Sequence, residues 1–219
     1  VEPSPGRAYL TVMEGCDMFC SFCIVPTTRG REVSRPADAI VREAEALAAR
    51  GVLEIVLLGQ TVNAYGRHDL RRSRTEPSGT TSFAALIRRL AAIPALRRIR
   101  YTSPHPIFFD EELVRAHGEV EKLCPHVHMP VQSGADAVLA RMRRRYTGDD
   151  VRRLAARLRA ARPDLALTTD LIVGFPGESD ADFEATLALI RDVDYADGFS
   201  FKYSPRPGTP GAELDGRVP

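Results

Sequence analysis

Few cysteines, almost no lysine and no long apolar run set the first limits on this chain of 219 residues. Only four cysteines occur, and three of them, Cys16, Cys20 and Cys23, fall within one short stretch. A disulfide framework spreads its cysteines along the chain. This pattern excludes one and points instead to metal ligation in a reducing compartment. No apolar run approaches the roughly 18 residues of a membrane helix, which excludes a membrane-spanning helix. No basic start precedes an apolar stretch, so a secretory signal is not expected. No internal repeat is visible. Of 30 basic residues only Lys122 and Lys202 are lysine. The arginines cluster at Arg71, Arg72 and Arg74, at Arg97, Arg98 and Arg100, and at Arg141, Arg143, Arg144 and Arg145. A net charge of +1 does not by itself draw a nucleic acid, although local basic patches permit it. The plainer reading of such runs is a solvated helix face with acidic partners.

What is present is an ordinary globular composition, 44% hydrophobic and 27% charged. The length suits one large domain or two small ones with a sizeable core. The chain opens on Val1 and closes on a Gly/Pro-rich stretch, which reads as a segment of a longer protein. Strands are expected over residues 9–13, 54–58, 98–102, 127–131, 165–173 and 198–203. Helices are expected over residues 37–50, 83–92, 111–117, 135–144, 151–162 and 180–193. Pro36 opens the first of these and Gly51 ends it. A polar insertion, residues 67–80, precedes the helix at 83. Strict β–α alternation implies a parallel sheet with right-handed crossovers. The expected fold is an α/β partial or complete barrel of six parallel strands, with an open doubly wound sheet as the alternative.

The loops after the strands carry the unusual residues. They include the three cysteines, Gly59-Gln60-Thr61-Val62-Asn63, Ser103-Pro104-His105-Pro106, Gln132-Ser133-Gly134 and Gly174-Phe175-Pro176-Gly177-Glu178. In a parallel sheet all of these emerge at one end, where α/β folds place their sites.

The cysteines follow Cys16-x3-Cys20-x2-Cys23. Thiolates are soft ligands suited to iron–sulfur clusters and to zinc. A four-iron cluster normally takes four cysteines, so three cover three irons and leave one open to a chelating substrate. Structural zinc usually shows two paired knuckles, and only one C-x2-C is present here. The zinc alternative would need Cys124 or a histidine as fourth ligand. Cys124 more simply reads as a small buried hydrophobe. His126 and His128 share one strand face but lack a third ligand nearby. Arg29, Arg31 and Arg35 flank the cysteine loop and suit phosphate as well as solvent.

Cys16-Asp17-Met18-Phe19-Cys20-Ser21-Phe22-Cys23 resembles the signature of the radical S-adenosylmethionine (SAM) superfamily, with an aromatic before the last cysteine. Gly30-Arg31-Glu32-Val33-Ser34-Arg35-Pro36, the 57–63 and 102–106 segments and Thr168-Thr169-Asp170-Leu171-Ile172-Val173-Gly174-Phe175-Pro176-Gly177-Glu178 resemble the radical SAM methylthiotransferases. They are closest to the MiaB class, which modifies isopentenyl-adenosine beside the anticodon of tRNA.

That resemblance implies a (β/α)6 radical SAM core over residues 1–219. An N-terminal domain with a second 4Fe-4S cluster and a C-terminal TRAM domain would lie outside it. It implies an enzyme in which Cys16, Cys20 and Cys23 hold a 4Fe-4S cluster whose open iron takes SAM. Phe22, Gly59, Gln60, Gln132, Ser133 and Gly174 become candidate SAM contacts. All but Gln60 also have a structural reading: loop packing for Phe22, turns for Gly59, Gln132, Ser133 and Gly174. Glu178 would place negative charge at the next helix N-terminus. The implied partners are a tRNA anticodon stem-loop and a low-potential electron donor of flavodoxin or ferredoxin type, with no membrane, in a cytoplasmic monomer. Sister enzymes acting on threonylcarbamoyl-adenosine in tRNA or on a ribosomal-protein aspartate are the nearest alternatives. A zinc-stabilised RNA-binding module is the non-enzyme alternative.

Overall fold

The computed structural model describes residues 6–67 and 81–218. The Arg71, Arg72 and Arg74 cluster lies outside the described residues. Six strands run parallel in two sets of three. The first set is β1 (Arg7–Thr11), β4 (Glu54–Leu58) and β5 (Arg98–Tyr101), in that order. The second is β6 (His126–His128), β7 (Ala166–Val173) and β8 (Asp197–Lys202). The segment leading into β6 joins them, because Ile99 N–H donates to Lys122 O at 2.8 Å and Cys124 N–H donates to Ile99 O at 3.0 Å. Spatial order therefore follows chain order, as right-handed β–α crossovers require.

Among the described residues six helices pack the outer side, and a short α1 (Val25–Arg29) precedes them within the loop after the first strands: α2 (Ala37–Ala49), α3 (Phe83–Ala91), α4 (Glu111–Glu119), α5 (Asp136–Arg141), α6 (Gly148–Ala161) and α7 (Asp180–Val193). Strand side chains alternate between two faces. Leu10, Ile99, Val127 and Leu167 point to the helices and are fully buried with Ile40, Leu86, Leu90, Leu158 and Leu189. Residues that alternate with these, Tyr9, Arg100, His126, His128, Thr168 and Asp170, share the inner face. β8 pairs with β7 along its length, yet all six of its residues are exposed. The sheet is therefore an open, partial barrel at that edge. Helix starts follow local chemistry: Ser82 and Asp110 cap α3 and α4, and Thr147/Asp150 and Ser179/Asp182 form capping boxes.

The expected barrel and its six strands are present, with differences at the ends. The strand expected over residues 9–13 divides at Val12. Its continuation, β2 (Met13–Glu14), leaves the sheet and pairs antiparallel with β3 (Val33–Ser34). A two-residue pair and the five-residue α1 are too short to show a sequence period. The expected strand 127–131 stops at His128: Val131 N–H turns to the Thr169 hydroxyl at 3.2 Å, and the chain rejoins β7 only at Gln132, opposite Leu171 and one residue out of register.

Close packing of helix on loop is visible at Gly134. A Cβ there would sit 2.6 Å from Ala185 O and 2.7 Å from Thr186 Cα, both backbone atoms of α7. Gly134→Ala is therefore expected to lose about 3 kcal/mol in urea unfolding. An unchanged midpoint would show that α7 can shift freely.

Candidate functional site

The cysteine loop is a closed excursion between β2 and β3. Cys16 N–H donates to Gly30 O at 3.2 Å across its neck. Gly15 sits at φ 76°, and a Cβ there would meet Arg31 O at 2.1 Å, so only glycine fits. The Gly15 N–H donates to Gln60 Oε1 at 2.6 Å, which ties the loop to the end of β4. Cys16 and Cys20 are buried, and Cys23 is half-buried.

All three thiols line one cavity of about 160 Å³ at the C-terminal end of the strands, with Phe22, Gln60, Thr61, His105, Gln132 and Arg144 also on its wall. A larger space of about 500 Å³ adjoins it, sharing Phe22, Cys23, Val25 and Gln132 and adding Asp170, Phe201, Tyr203 and Arg206. Two non-glycine residues of the first cavity, Ser103 (φ 56°) and Gln132 (φ 75°), hold left-handed backbones. Such conformations cost energy and concentrate at functional sites.

Burial and nearby polar or cationic groups act in opposite directions on the Cys16 and Cys23 thiols. Burial pushes the Cys16 thiol up, opposed by the Thr61 hydroxyl, whose Oγ1 lies 3.1 Å from Sγ. Burial also pushes Cys23 up, opposed by the Val25 backbone, Arg144 and Arg206. Arg144 is only 6% exposed. Its Nη1 donates to Cys20 Sγ at 3.4 Å, Nη2 to Pro130 O at 2.7 Å and Nε to Tyr146 Oη at 2.8 Å. Tyr146 in turn donates to Val131 O at 2.7 Å. A buried guanidinium against the Cys20 sulfur, on a wall with no carboxylate among the described residues, suits an anionic sulfur group. Because thiols raised in pKa must lose protons to bind metal, cluster loading is expected to improve with rising pH. Below the thiol pKa the gain is about tenfold per pH unit for each proton released. Iron and sulfide content against pH measures it, and a flat profile would contradict the thiol environment described.

The donor set fits an iron–sulfur cluster: three soft thiols on one wall, a buried cation against one of them, and open space beside it. It fits zinc poorly. A single ion needs its sulfurs within about 2.3 Å of one point, and among the described residues no three His, Cys, Asp or Glu groups are so placed. Cys124 is buried at the opposite, N-terminal end of the strands, near Glu54, Arg98 and Arg100, and cannot be a fourth ligand. His126 and His128 are tied to Thr168 at 3.1 and 3.0 Å, and His128 Nε2 lies 3.3 Å from Asp170.

Of the other residues expected from the sequence, Phe22, Gln60 and Gln132 stand on the cavity wall. Gly59, Ser133 and Gly174 do not. Gly59 packs on Met13, where a Cβ would meet Cγ at 2.5 Å. Ser133 is fully buried and bonds to Thr186 Oγ1 at 3.2 Å. Gly174 holds φ 71° and donates to Glu178 Oε2. Glu178 thus clasps the turn before α7, accepting from Phe175 N–H as well at 3.1 Å, while Ser179 caps the helix. The arginine runs also divide. Arg98 and Arg100 join Arg7 on the buried Glu54, in place of a plain solvated face. Arg144 turns into the site. Thr61, His105, Asp170, Arg144 and Tyr146 are site residues that the sequence left unassigned. Arg144 had no signal of its own, being one of four arginines between residues 141 and 145.

A family model described as the radical SAM superfamily matches residues 10–190. The chain belongs to the radical SAM superfamily. This radical SAM chain is 53% identical over 216 residues to the tRNA-2-methylthio-N(6)-dimethylallyladenosine synthase of Erythrobacter litoralis (strain HTCC2594). The match covers 99% of the chain and 47% of that relative, so the chain spans about half its length. Among solved structures it resembles the radical S-adenosylmethionine methyltransferase TsrM from Kitasatospora setae. There the TM-score is 0.68 at 22% identity, over 94% of this chain and 38% of that one. It also resembles coproporphyrinogen III oxidase (HemN) from Escherichia coli, described as a radical SAM enzyme. The TM-score there is 0.59 at 16% identity, over 96% and 47% of the two chains. These likenesses show the partial barrel of the superfamily.

Proposed function

We propose that this chain is the SAM-cleaving core of a tRNA methylthiotransferase that acts on isopentenyl-adenosine next to the anticodon. The observation that carries the reading is the match of 53% over 99% of the chain to an enzyme of that name. It is joined to a site whose three thiols converge on one cavity. Cys16, Cys20 and Cys23 hold a 4Fe-4S cluster, and when bound the cluster supplies the electron for reductive cleavage of SAM. The chain's own residues bind and orient. Arg144 neutralises the sulfur set at Cys20. Phe22, Gln60 and Gln132 face SAM from the wall. Gly59, Ser133 and Gly174 act behind it by setting the strand-end backbone. Phe22, Phe201 and Tyr203 border the larger space and offer aromatic faces to a bound adenine.

The 1–219 core would sit within a longer polypeptide that carries the N-terminal cluster domain and the TRAM domain, in keeping with the 47% share of the relative. A flavodoxin- or ferredoxin-type donor, a monomeric state and a cytoplasmic setting complete the proposal. Among the described residues, no helix is long and apolar enough to cross a membrane.

Mass spectrometry of tRNA nucleosides tests the substrate. A strain lacking the gene is expected to lose 2-methylthio-isopentenyl-adenosine and to accumulate the unthiolated nucleoside. The wild-type gene should restore it and Cys20→Ala should not. Persistence of the methylthio nucleoside in the deletion strain would remove this substrate. Loss of the methylthio-threonylcarbamoyl nucleoside instead would assign the sister activity.

A further inference from the structure

One side-chain nitrogen beside the three thiols has no partner among the described residues. His105 is 4% exposed and lines the same cavity as Cys16, Cys20 and Cys23. It is held firmly. Its backbone N–H donates to Asn63 Oδ1 at 2.8 Å, and its carbonyl accepts from Asn63 Nδ2 at 3.0 Å. The ring meets Tyr146 edge-on at 5.5 Å and Phe108 at 5.8 Å. Nδ1 accepts from Ile107 N–H at 3.4 Å. Burial, with Arg144 and Arg145 behind it, pushes the imidazole down to about 2, so the ring is neutral. A neutral ring whose Nδ1 accepts carries its proton on Nε2.

Nε2 has no hydrogen-bond partner among the described residues. Buried donors are rarely left so, because the lost hydration is not replaced. Three neighbours on the wall are already engaged: Gln60 Oε1 by Gly15, Thr61 by Cys16, and Arg144 by Cys20, Pro130 and Tyr146. Among the unpartnered buried side-chain atoms of the described residues, only His105 Nε2 belongs to this wall.

We propose that His105 Nε2–H donates a hydrogen bond to a sulfur of the cluster held by Cys16, Cys20 and Cys23, and so raises the cluster's reduction potential. One-electron reduction adds negative charge to the sulfurs, so a donor to them stabilises the reduced form more than the oxidised form. The inference rests on the cluster reading and not on the tRNA substrate. Iron and sulfide content of the wild-type chain tests that reading separately.

The experiment is a redox titration of the anaerobically loaded chain without SAM, followed by the paramagnetic signal of the reduced cluster. His105→Leu, loaded to wild-type iron and sulfide, is expected to lower the reduction equilibrium about tenfold, which for one electron is about 59 mV more negative. His105→Gln keeps an N–H and is expected to stay near wild type. An unchanged potential in fully loaded His105→Leu overturns the proposal, as does a variant that loses SAM affinity alone. If His105→Leu does not load, the wild-type chain with 15N-labelled histidine decides. Pulsed nuclear double resonance on the reduced cluster should show a weak coupling to a non-ligating histidine nitrogen. Its absence overturns the assignment.

Discussion

Cys20→Ala is expected to leave the chain colourless after anaerobic loading, with iron and sulfide at background and no SAM cleavage. A four-iron cluster takes four ligands and the chain offers three beside the cavity, so losing one leaves two. The same change removes the sulfur that Arg144 meets at 3.4 Å, leaving a buried cation without its only soft anion. Cys16→Ala and Cys23→Ala should behave alike, since both thiols stand on the same wall. Cys124→Ala is the control. It lies at the far end of the strands and packs as a small hydrophobe, so cluster content should be unchanged and stability lower by about 1 kcal/mol. Absorption, iron and sulfide analysis and 5′-deoxyadenosine release measure these outcomes. A Cys20→Ala chain with full iron, or a Cys124→Ala chain without it, would break the ligand assignment.

Arg144→Met is expected to cost the loaded chain far more stability than the unloaded chain. In the loaded chain the guanidinium neutralises buried sulfur charge and satisfies Pro130 O and Tyr146. Removing it should cost about 3–5 kcal/mol, the range for breaking a buried charge pair. In the unloaded chain the same guanidinium is a buried cation with no carboxylate partner among the described residues, so relief of that charge offsets much of the loss of its bonds to Pro130 O and Tyr146, and the cost there should be about 1 kcal/mol. Urea midpoints of both states decide it. Equal losses with and without the cluster would make Arg144 a purely structural residue. Arg144→Lys should not rescue, because an ammonium cannot span the three acceptors that the fork reaches.

The sequence made much of this legible because the signals are local. Six strands separated by helices follow from hydrophobic runs and capping residues read within about ten positions of each other. The triad follows from one loop. The elements that escaped are non-local: β2 and β3 meet only because Met13 and Ser34 pair across twenty residues, held by Gly15 against Arg31. The end of β6 came early because Val131 N–H bonds to the Thr169 side chain and the register against β7 slips by one residue, which no propensity foretells.

The same boundary runs through the site. By itself, the sequence determined the parallel α/β order and the strand-end placement of the loops. It also determined the chemistry of Cys16, Cys20 and Cys23, since ligand type and spacing are properties of the chain. Only the tertiary structure decided which of the other residues meet them. It brought Arg144 from a run of surface-like arginines onto Cys20, and placed His105 on the cavity wall with its Nε2 unpartnered. It set Gly59, Ser133 and Gly174 behind the wall and sent Cys124 to the far end of the barrel. The physical reason is that ligand chemistry resides in a side chain. Burial and partnership are set by segments more than a hundred residues apart that close packing brings into contact.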